Sequence, residues 1–170
     1  RPSVVYSVDD NFTTNFMTLL NRLPFFPLYY NGETKFTPIH CSDLIDTIYH
    51  ITYTNIHSKI IECVGPEVLS LKEILKKLLK LINKNRLLIP LPLFAAKISA
   101  KLFQLFPKPL LTVDQLALLK HDNILSNKYQ TNSDVGVPST RLFDKEVEKY
   151  CYMWKEGGQF STKKYNSTNS

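Results

Sequence analysis

Lys35-Phe36-Thr37-Pro38-Ile39-His40-Cys41 is followed by Ser42-Asp43-Leu44-Ile45-Asp46-Thr47-Ile48-Tyr49-His50-Ile51-Thr52-Tyr53 and then by Lys59-Ile60-Ile61-Glu62-Cys63-Val64. The stretch reads as strand, helix and strand in succession. Leu44, Ile45, Ile48, Tyr49 and Thr52 recur at helical spacing and predict one buried face. Ser42 or Asp43 is placed to cap that helix, because a short side-chain oxygen accepts a free backbone N–H. Gly65-Pro66 ends the second strand. This order predicts an α/β unit.

On the N-terminal side, Ser3 to Tyr6 reads as a short apolar strand, with Pro2 tolerated at its first position. Asp9 and Asp10 lie in a polar loop. Phe12, Phe16, Leu19, Leu20 and Leu23 predict a helix over 12–23, which Pro24 and Pro27 stop. Asn31-Gly32 signals a turn. The strand-like start at Arg1-Pro2 leads us to expect the C-terminal portion of a larger domain.

On the C-terminal side, Ser70-Leu71-Lys72-Glu73 is a capping box. Behind it Leu71, Ile74, Leu75, Leu78, Leu79 and Ile82 share one helix face, and Lys72, Lys76, Lys77, Lys80 and Lys84 lie off it. That stripe is read as core. Leu87 to Leu91 reads as a strand and Phe94 to Phe106 as a second amphipathic helix. Thr112-Val113-Asp114-Gln115 opens another helix, running to about His121. Asp134 to Pro138 reads as a turn, Leu142 to Trp154 as a last helix, and Gly157 onward as a polar tail. The expected organisation is residues 1–69 as the sheet-bearing part, 70–156 as a mostly helical part and 157–170 as tail.

Composition narrows the classes. The chain has 170 residues, 44% of them hydrophobic, enough for a packed core rather than a disordered segment. Its 5 glycines form no GxGxxG, so no phosphate-cradling loop lies in this sequence. The longest run free of charged and strongly polar residues, Leu87 to Ala96, carries Pro90 and Pro92 and falls far short of the ~20 residues a bilayer span needs. Cys41, Cys63 and Cys151 make no CxxC and suggest a reduced compartment. The histidines make no HExxH, and no metal site is expected. Cys41 and Cys63 read as buried apolar residues rather than nucleophiles, and Asp43 as a helix cap rather than a catalytic acid.

The net charge of +6 is unevenly spread: residues 1–70 hold 4 basic against 7 acidic side chains, and residues 71–170 hold 17 against 8. A solvated lysine face is the simple reading. An anionic partner, either an acidic protein or a membrane surface, is the sharper one. Nucleic acid is not expected, because lysine greatly outnumbers the arginine that bidentate base readout favours.

Arg1-Pro2-Ser3-Val4-Val5-Tyr6-Ser7 resembles the Arg-Pro-x-x-Val-Tyr-Gly-Pro segment of the extended short-chain dehydrogenases (NAD-dependent epimerases and dehydratases), with Ser7-Val8 in place of Gly-Pro. Phe36-Thr37-Pro38-Ile39-His40-Cys41-Ser42-Asp43-Leu44 resembles their Phe-x-Pro-Val-x-Val-x-Asp-Val segment. Gly65-Pro66-Glu67-Val68-Leu69-Ser70 resembles the Gly-Pro-Glu-x-x-Thr that precedes a substrate-domain helix. Leu88-Ile89-Pro90-Leu91-Pro92, Leu111 to Leu116 with Leu119 to Asn123, and Asp134 to Val137 narrow the likeness. They point to the branch of the NAD(P)-binding accessory subunit of respiratory complex I and its bacterial relatives.

The resemblance implies the C-terminal part of an NAD(P)-binding Rossmann-type fold plus a small, mostly helical substrate domain. It implies NAD or NADP as cofactor, with Pro2, Ser3 and Val5 on the nicotinamide side. Asn11, Phe12 and His40 would stand at the substrate cleft. No tyrosine here has lysine four residues later, so no catalytic residue is assigned, and the chain alone is not expected to transfer hydride. A nucleotide-binding, structural or assembly role comes first; an epimerase, dehydratase or reductase is the alternative, and a membrane-surface or protein-interaction module is the second. Respiratory-complex subunits or a membrane surface are the implied partners of residues 71–170. The implied place is the cytoplasm, peripheral on the inner face of a bacterial inner membrane, or the matrix side of the mitochondrion in a eukaryote.

Overall fold

A computed structural model describes residues 1–91 and 118–158. The elements in order are β1 (Val5–Tyr6), α1 (Thr13–Arg22), β2 (Phe25–Leu28), β3 (Lys35–Phe36), β4 (Ile39–His40), α2 (Cys41–Tyr53), β5 (Ile61–Glu62), β6 (Leu69–Ser70), α3 (Leu71–Leu81), β7 (Leu87–Pro90), β8 (Gln130–Thr131) and α4 (Phe143–Glu148). Short 3₁₀ turns occupy Tyr29–Gly32 and Cys151–Trp154. The expected helix over 94–106 and the capping box at 112–115 lie outside the described residues.

The sheet is parallel and stepped. β1 pairs with β4, Val5 opposite Ile39, and the Ile39 N–H donates to the Val4 carbonyl at 2.9 Å. Alternate residues of an extended strand face opposite edges, so Arg1 and Ser3 are free to pair on the other side. The Ser3 N–H donates to the Cys63 carbonyl at 3.0 Å and the Cys63 N–H to the Arg1 carbonyl at 2.9 Å. β5 then pairs in parallel with β8. The strand order is therefore β4, β1, β5, β8, an α/β arrangement with a parallel sheet. A small core of Ile39, Ile61 and Cys63 lies on it, with Val5, Leu44 and Ile51 packed alongside.

A second assembly surrounds α3. The capping box forms as read: the Ser70 hydroxyl accepts from the Glu73 N–H at 3.2 Å, and the Glu73 carboxylate accepts from the Ser70 N–H at 2.7 Å. Both orphan donors are satisfied locally. The helix stops at Asn83, whose φ of +55 is tolerated better by asparagine than by most residues. Its N–H donates to the Lys80 carbonyl and the Lys84 N–H to the Leu79 carbonyl, closing the last turn. Leu71, Ile74, Leu75, Leu78, Leu79 and Ile82 are all buried, as the stripe predicts. They form the larger core with Phe16, Leu20, Phe26, Leu28, Phe143 and Val147. That core draws on α1 and β2 as well as on α3 and α4. Lys77 ties α3 to α4 through Asp144 at 2.7 Å and reaches Glu67 at 3.6 Å.

Several expectations are corrected. Helix α2 begins at Cys41, and its cap is the His40 ring: Nδ1 accepts from the Ser42 N–H at 3.3 Å, not Ser42 or Asp43. Its expected buried face is largely exposed, with Ile45, Ile48 and Tyr49 at 60, 55 and 65%. Asp43 and Thr47 face inward instead, Asp43 paired with Arg141, with Leu44 and Ile51 on the sheet core. Pro24 and Pro27 stop α1 but do not prevent a strand: β2 contains Pro27 and pairs in parallel with β7, an edge position where a missing N–H is tolerated. Ser70, expected only as a helix cap, also belongs to β6, which pairs antiparallel with β3. The last helix breaks after Glu148 into the 3₁₀ turn at Cys151–Trp154.

Candidate functional site

The site begins with Asp10, two residues ahead of the N-cap Phe12. Its carboxylate accepts from the N–H groups of Ser7 at 2.9 Å, Phe12 at 2.7 Å and Thr14 at 3.2 Å, and from the Thr13 hydroxyl at 2.6 Å. The side chain thus supplies the anion that the start of α1 favours. It also fixes where Asn11 and Phe12 stand. The sequence marks Asp10 only as part of a polar loop; an aspartate just ahead of an apolar helical repeat is the signal for this role.

A cavity of about 330 Å³ opens beside this turn. Its apolar wall consists of Val4, Phe12, Phe16, Phe36, Leu118 and Leu119. The wall is well fixed: the Phe12 and Phe16 rings meet edge-on with centroids 5.0 Å apart, and Phe12 lies 5.8 Å from Phe36. Polar groups come from Asn11, Asn15, His121, Asp122 and Asn123. The 121–123 segment is anchored by backbone pairing, since the Asn123 N–H donates to the Lys35 carbonyl at 2.8 Å and the Asn123 carbonyl accepts from Thr37 at 3.2 Å. The Asp122 carboxylate accepts from the Lys35 N–H at 2.8 Å. Asn15, His121, Asp122 and Asn123 were not singled out as site residues from the sequence. They reach the cavity by long-range folding that no local pattern marks.

Of the sequence-derived residues, Asn11 and Phe12 border the cavity. Ser3 lies behind it, 8% exposed. Its hydroxyl donates to the Asn123 carbonyl at 3.0 Å and accepts from the Thr37 N–H at 3.3 Å. Pro2 is exposed and bridges to Cys63, and Val5 packs on the sheet core. Val4, between Ser3 and Val5, faces the cavity.

His40 stands elsewhere. Its ring meets Tyr6 edge-on at 5.3 Å, and its Nε2 is 3.8 Å from Glu146. Burial lowers its pKa, outweighing the opposing pull of Glu146. Desolvation by burial likewise pushes the Tyr6 phenol above its ordinary value, and the Cys63 and Cys151 thiols are raised in the same way, which suits buried apolar roles over nucleophilic ones. Among the described residues no cluster of His, Cys, Asp and Glu is arranged to hold a metal ion, and no helix is long and apolar enough to cross a membrane.

The parallel sheet and its flanking core superpose on solved proteins. UDP-glucose 4-epimerase of Thermotoga maritima matches 92% of the chain with a TM-score of 0.60 at 8% identity, over 45% of its own length. This is the epimerase and dehydratase fold. RMD of Pseudomonas aeruginosa, solved with NADPH, shares that fold, with a TM-score of 0.59 at 6% identity over 92% of the chain and 47% of its own. In sequence, the chain is 28% identical over 165 residues to the mitochondrial NADH dehydrogenase (ubiquinone) 1 alpha subcomplex subunit 9 of Dictyostelium discoideum, covering 95% of the chain and 46% of that protein. The chain thus spans about half the length of the epimerase-fold proteins and of the curated relative it matches. No family model matches it. The resemblance drawn from Arg1–Ser7, Phe36–Leu44 and Gly65–Ser70 is borne out by both comparisons.

Proposed function

We propose that the chain is the substrate-side part of an NAD(P)-binding Rossmann-fold protein with a structural and assembly role in a respiratory NADH dehydrogenase complex. The observation that carries this reading is the 28% identity to a complex I alpha-subcomplex subunit over 95% of the chain.

In this reading the segment Pro2–Tyr6 offers backbone and apolar contact to the nicotinamide side of NAD or NADP through Pro2 and Val5. The Ser3 hydroxyl is committed to Asn123 and Thr37, so Ser3 contributes by fixing the strand. This chain's glycines form no pyrophosphate cradle. The cavity at Asn11 and Phe12 is the substrate-type ligand site, with His40 outside it. The exposed lysines Lys72, Lys76 and Lys80 on α3 supply a face for acidic neighbouring subunits or an anionic membrane surface. The place of action is the matrix side of the mitochondrial inner membrane or its bacterial counterpart.

Depleting the gene product in its source cells and separating membranes by blue-native electrophoresis tests the assembly role. Assembled NADH dehydrogenase is expected to fall severalfold, and an unchanged level overturns it. Titrating the full-length gene product with NADH and NADPH, followed by nicotinamide fluorescence, tests the nucleotide role separately; no binding of either overturns that part. An active epimerase, dehydratase or reductase is a second reading. It is supported by the cavity bordering the same strand, at Val4, that would carry the nicotinamide.

A further inference from the structure

Three of the five polar residues that line the cavity are amides. Asn11, Asn15 and Asn123 are amides and His121 is an imidazole, and no lysine or arginine lines it among the described residues. Diphosphates and carboxylates are held by charge-assisted bonds from such cations. The other common anion holder, a helix start, is taken: the Asp10 carboxylate fills the first turn of α1 beside the cavity. Asp122 adds a second carboxylate at the rim. Among the described residues an anionic ligand would therefore meet the Asp122 side chain and no lysine or arginine.

What the cavity offers instead is a wall of three phenylalanines, two leucines and a valine, with the amides of Asn11, Asn15 and Asn123 and the His121 imidazole among its polar groups. The side chains of Asn11, Asn15 and His121 make no hydrogen bond among the described residues. Apolar walls gain from burying hydrocarbon, and a few placed polar groups then orient one end of the ligand.

We infer that the cavity takes a neutral, hydrophobic alcohol or ketone, its oxygen against Asn11, Asn15 and His121 and its hydrocarbon body against Phe12, Phe16 and Phe36. A nucleotide sugar does not suit it. The inference rests on the reading of this cavity as the ligand site and names the chemistry of its occupant.

The test is a titration of the full-length gene product into prodan, a neutral ketone whose emission shifts to the blue in apolar surroundings, with 1-decanol and UDP-glucose as competitors. The expected result is a saturable blue shift at one dye per chain, reversed by 1-decanol and untouched by UDP-glucose. Asn15→Lys, which sets a cation in the wall, is expected to weaken prodan binding at least tenfold with the circular dichroism unchanged. Should N15K fail to fold, Asn11→Lys in the exposed loop serves the same purpose. Binding of UDP-glucose that survives in place of prodan overturns the inference while leaving the cavity a ligand site. Binding of neither probe overturns both. Prodan binding that neither substitution weakens places the dye elsewhere and overturns the assignment to this cavity.

Discussion

Asp43 in the first turn of α2 is gripped twice by Arg141 just ahead of α4: the guanidinium pairs with one carboxylate oxygen, and the Arg141 backbone N–H donates to the other at 3.2 Å. The side chain of Asp43 is 5% exposed and that of Arg141 34%. Removing the cation leaves a nearly buried carboxylate short of its main partner. Arg141→Met is expected to cost about 2–3 kcal/mol of unfolding free energy, in line with broken, partly buried pairs. Asp43→Asn, which keeps an acceptor for the backbone N–H, is expected to cost less. Urea denaturation followed by circular dichroism ranks the two.

Gly65 is required by a close approach. A Cβ built there falls 1.7 Å from the Pro38 carbonyl oxygen, and its own N–H donates to the Thr37 carbonyl at 3.2 Å. Backbone meets backbone, so no side chain can swing aside. Gly65→Ala is expected to destabilise by about 3 kcal/mol, at the upper end of overpacking effects, read as a fall in Tm. Gly136, where a Cβ would meet nothing within 4 Å, is the control, although its φ of +87 adds some backbone strain of its own.

The capping box gives a pH signature. Hydrogen bonds from the Ser70 hydroxyl and N–H hold the Glu73 carboxyl below its ordinary value. A group whose folded pKa is depressed stabilises above its unfolded pKa, about 4.3 for glutamate, and the benefit is lost as pH falls through the folded value. Ser70→Ala is expected to cost about 1 kcal/mol at neutral pH and to flatten the loss of stability below pH 5. Unfolding curves of the two proteins between pH 3 and 7 check this.

His40 works in the same direction near neutrality. Burial lowers its folded pKa below the ordinary value, so the unfolded chain binds the proton more readily and stability rises with pH through the histidine range. The Nδ1 cap on Ser42 also needs an unprotonated nitrogen. His40→Asn keeps an acceptor but no titration. It is expected to remove the His40 share of the gain between pH 5.5 and 7.5, measured by chemical denaturation.

Leu75 sits at the centre of the larger core, 0% exposed. Leu75→Ala is expected to cost about 3 kcal/mol, the usual range for a buried leucine. Urea denaturation of the variant measures it.

Much of this was legible because it is local. The Ser70–Glu73 box and the leucine stripe behind it specify α3 within a dozen residues. The strand–helix–strand run around α2 likewise declares an α/β chain. What α2 buries was not legible. Ile45, Ile48 and Tyr49 carry a good apolar pattern, but Leu44 and Ile51 are the residues of α2 that pack on the sheet core, and Asp43 is held by Arg141 from far down the chain. Strand β2 was hidden because Pro24 and Pro27 send the signal of a break, and only the distant partner β7 turns that segment into a ladder. The cavity was half legible: Asn11 and Phe12 came from motif position, whereas His121 to Asn123 arrive through pairing with Lys35 and Thr37.

The strand pairings also bear on how the chain is made. Val5 meets Ile39, Phe25 meets Leu87 and Ile61 meets Gln130, so each ladder joins segments far apart in synthesis order. Such topologies fold slowly, since long loops must close before the contacts that reward closure exist. A nascent chain emerging from the ribosome would expose Phe26 and Leu28 until Leu87 to Pro90 have followed. That leaves a window in which chaperones, rather than local structure, keep the protein from aggregating.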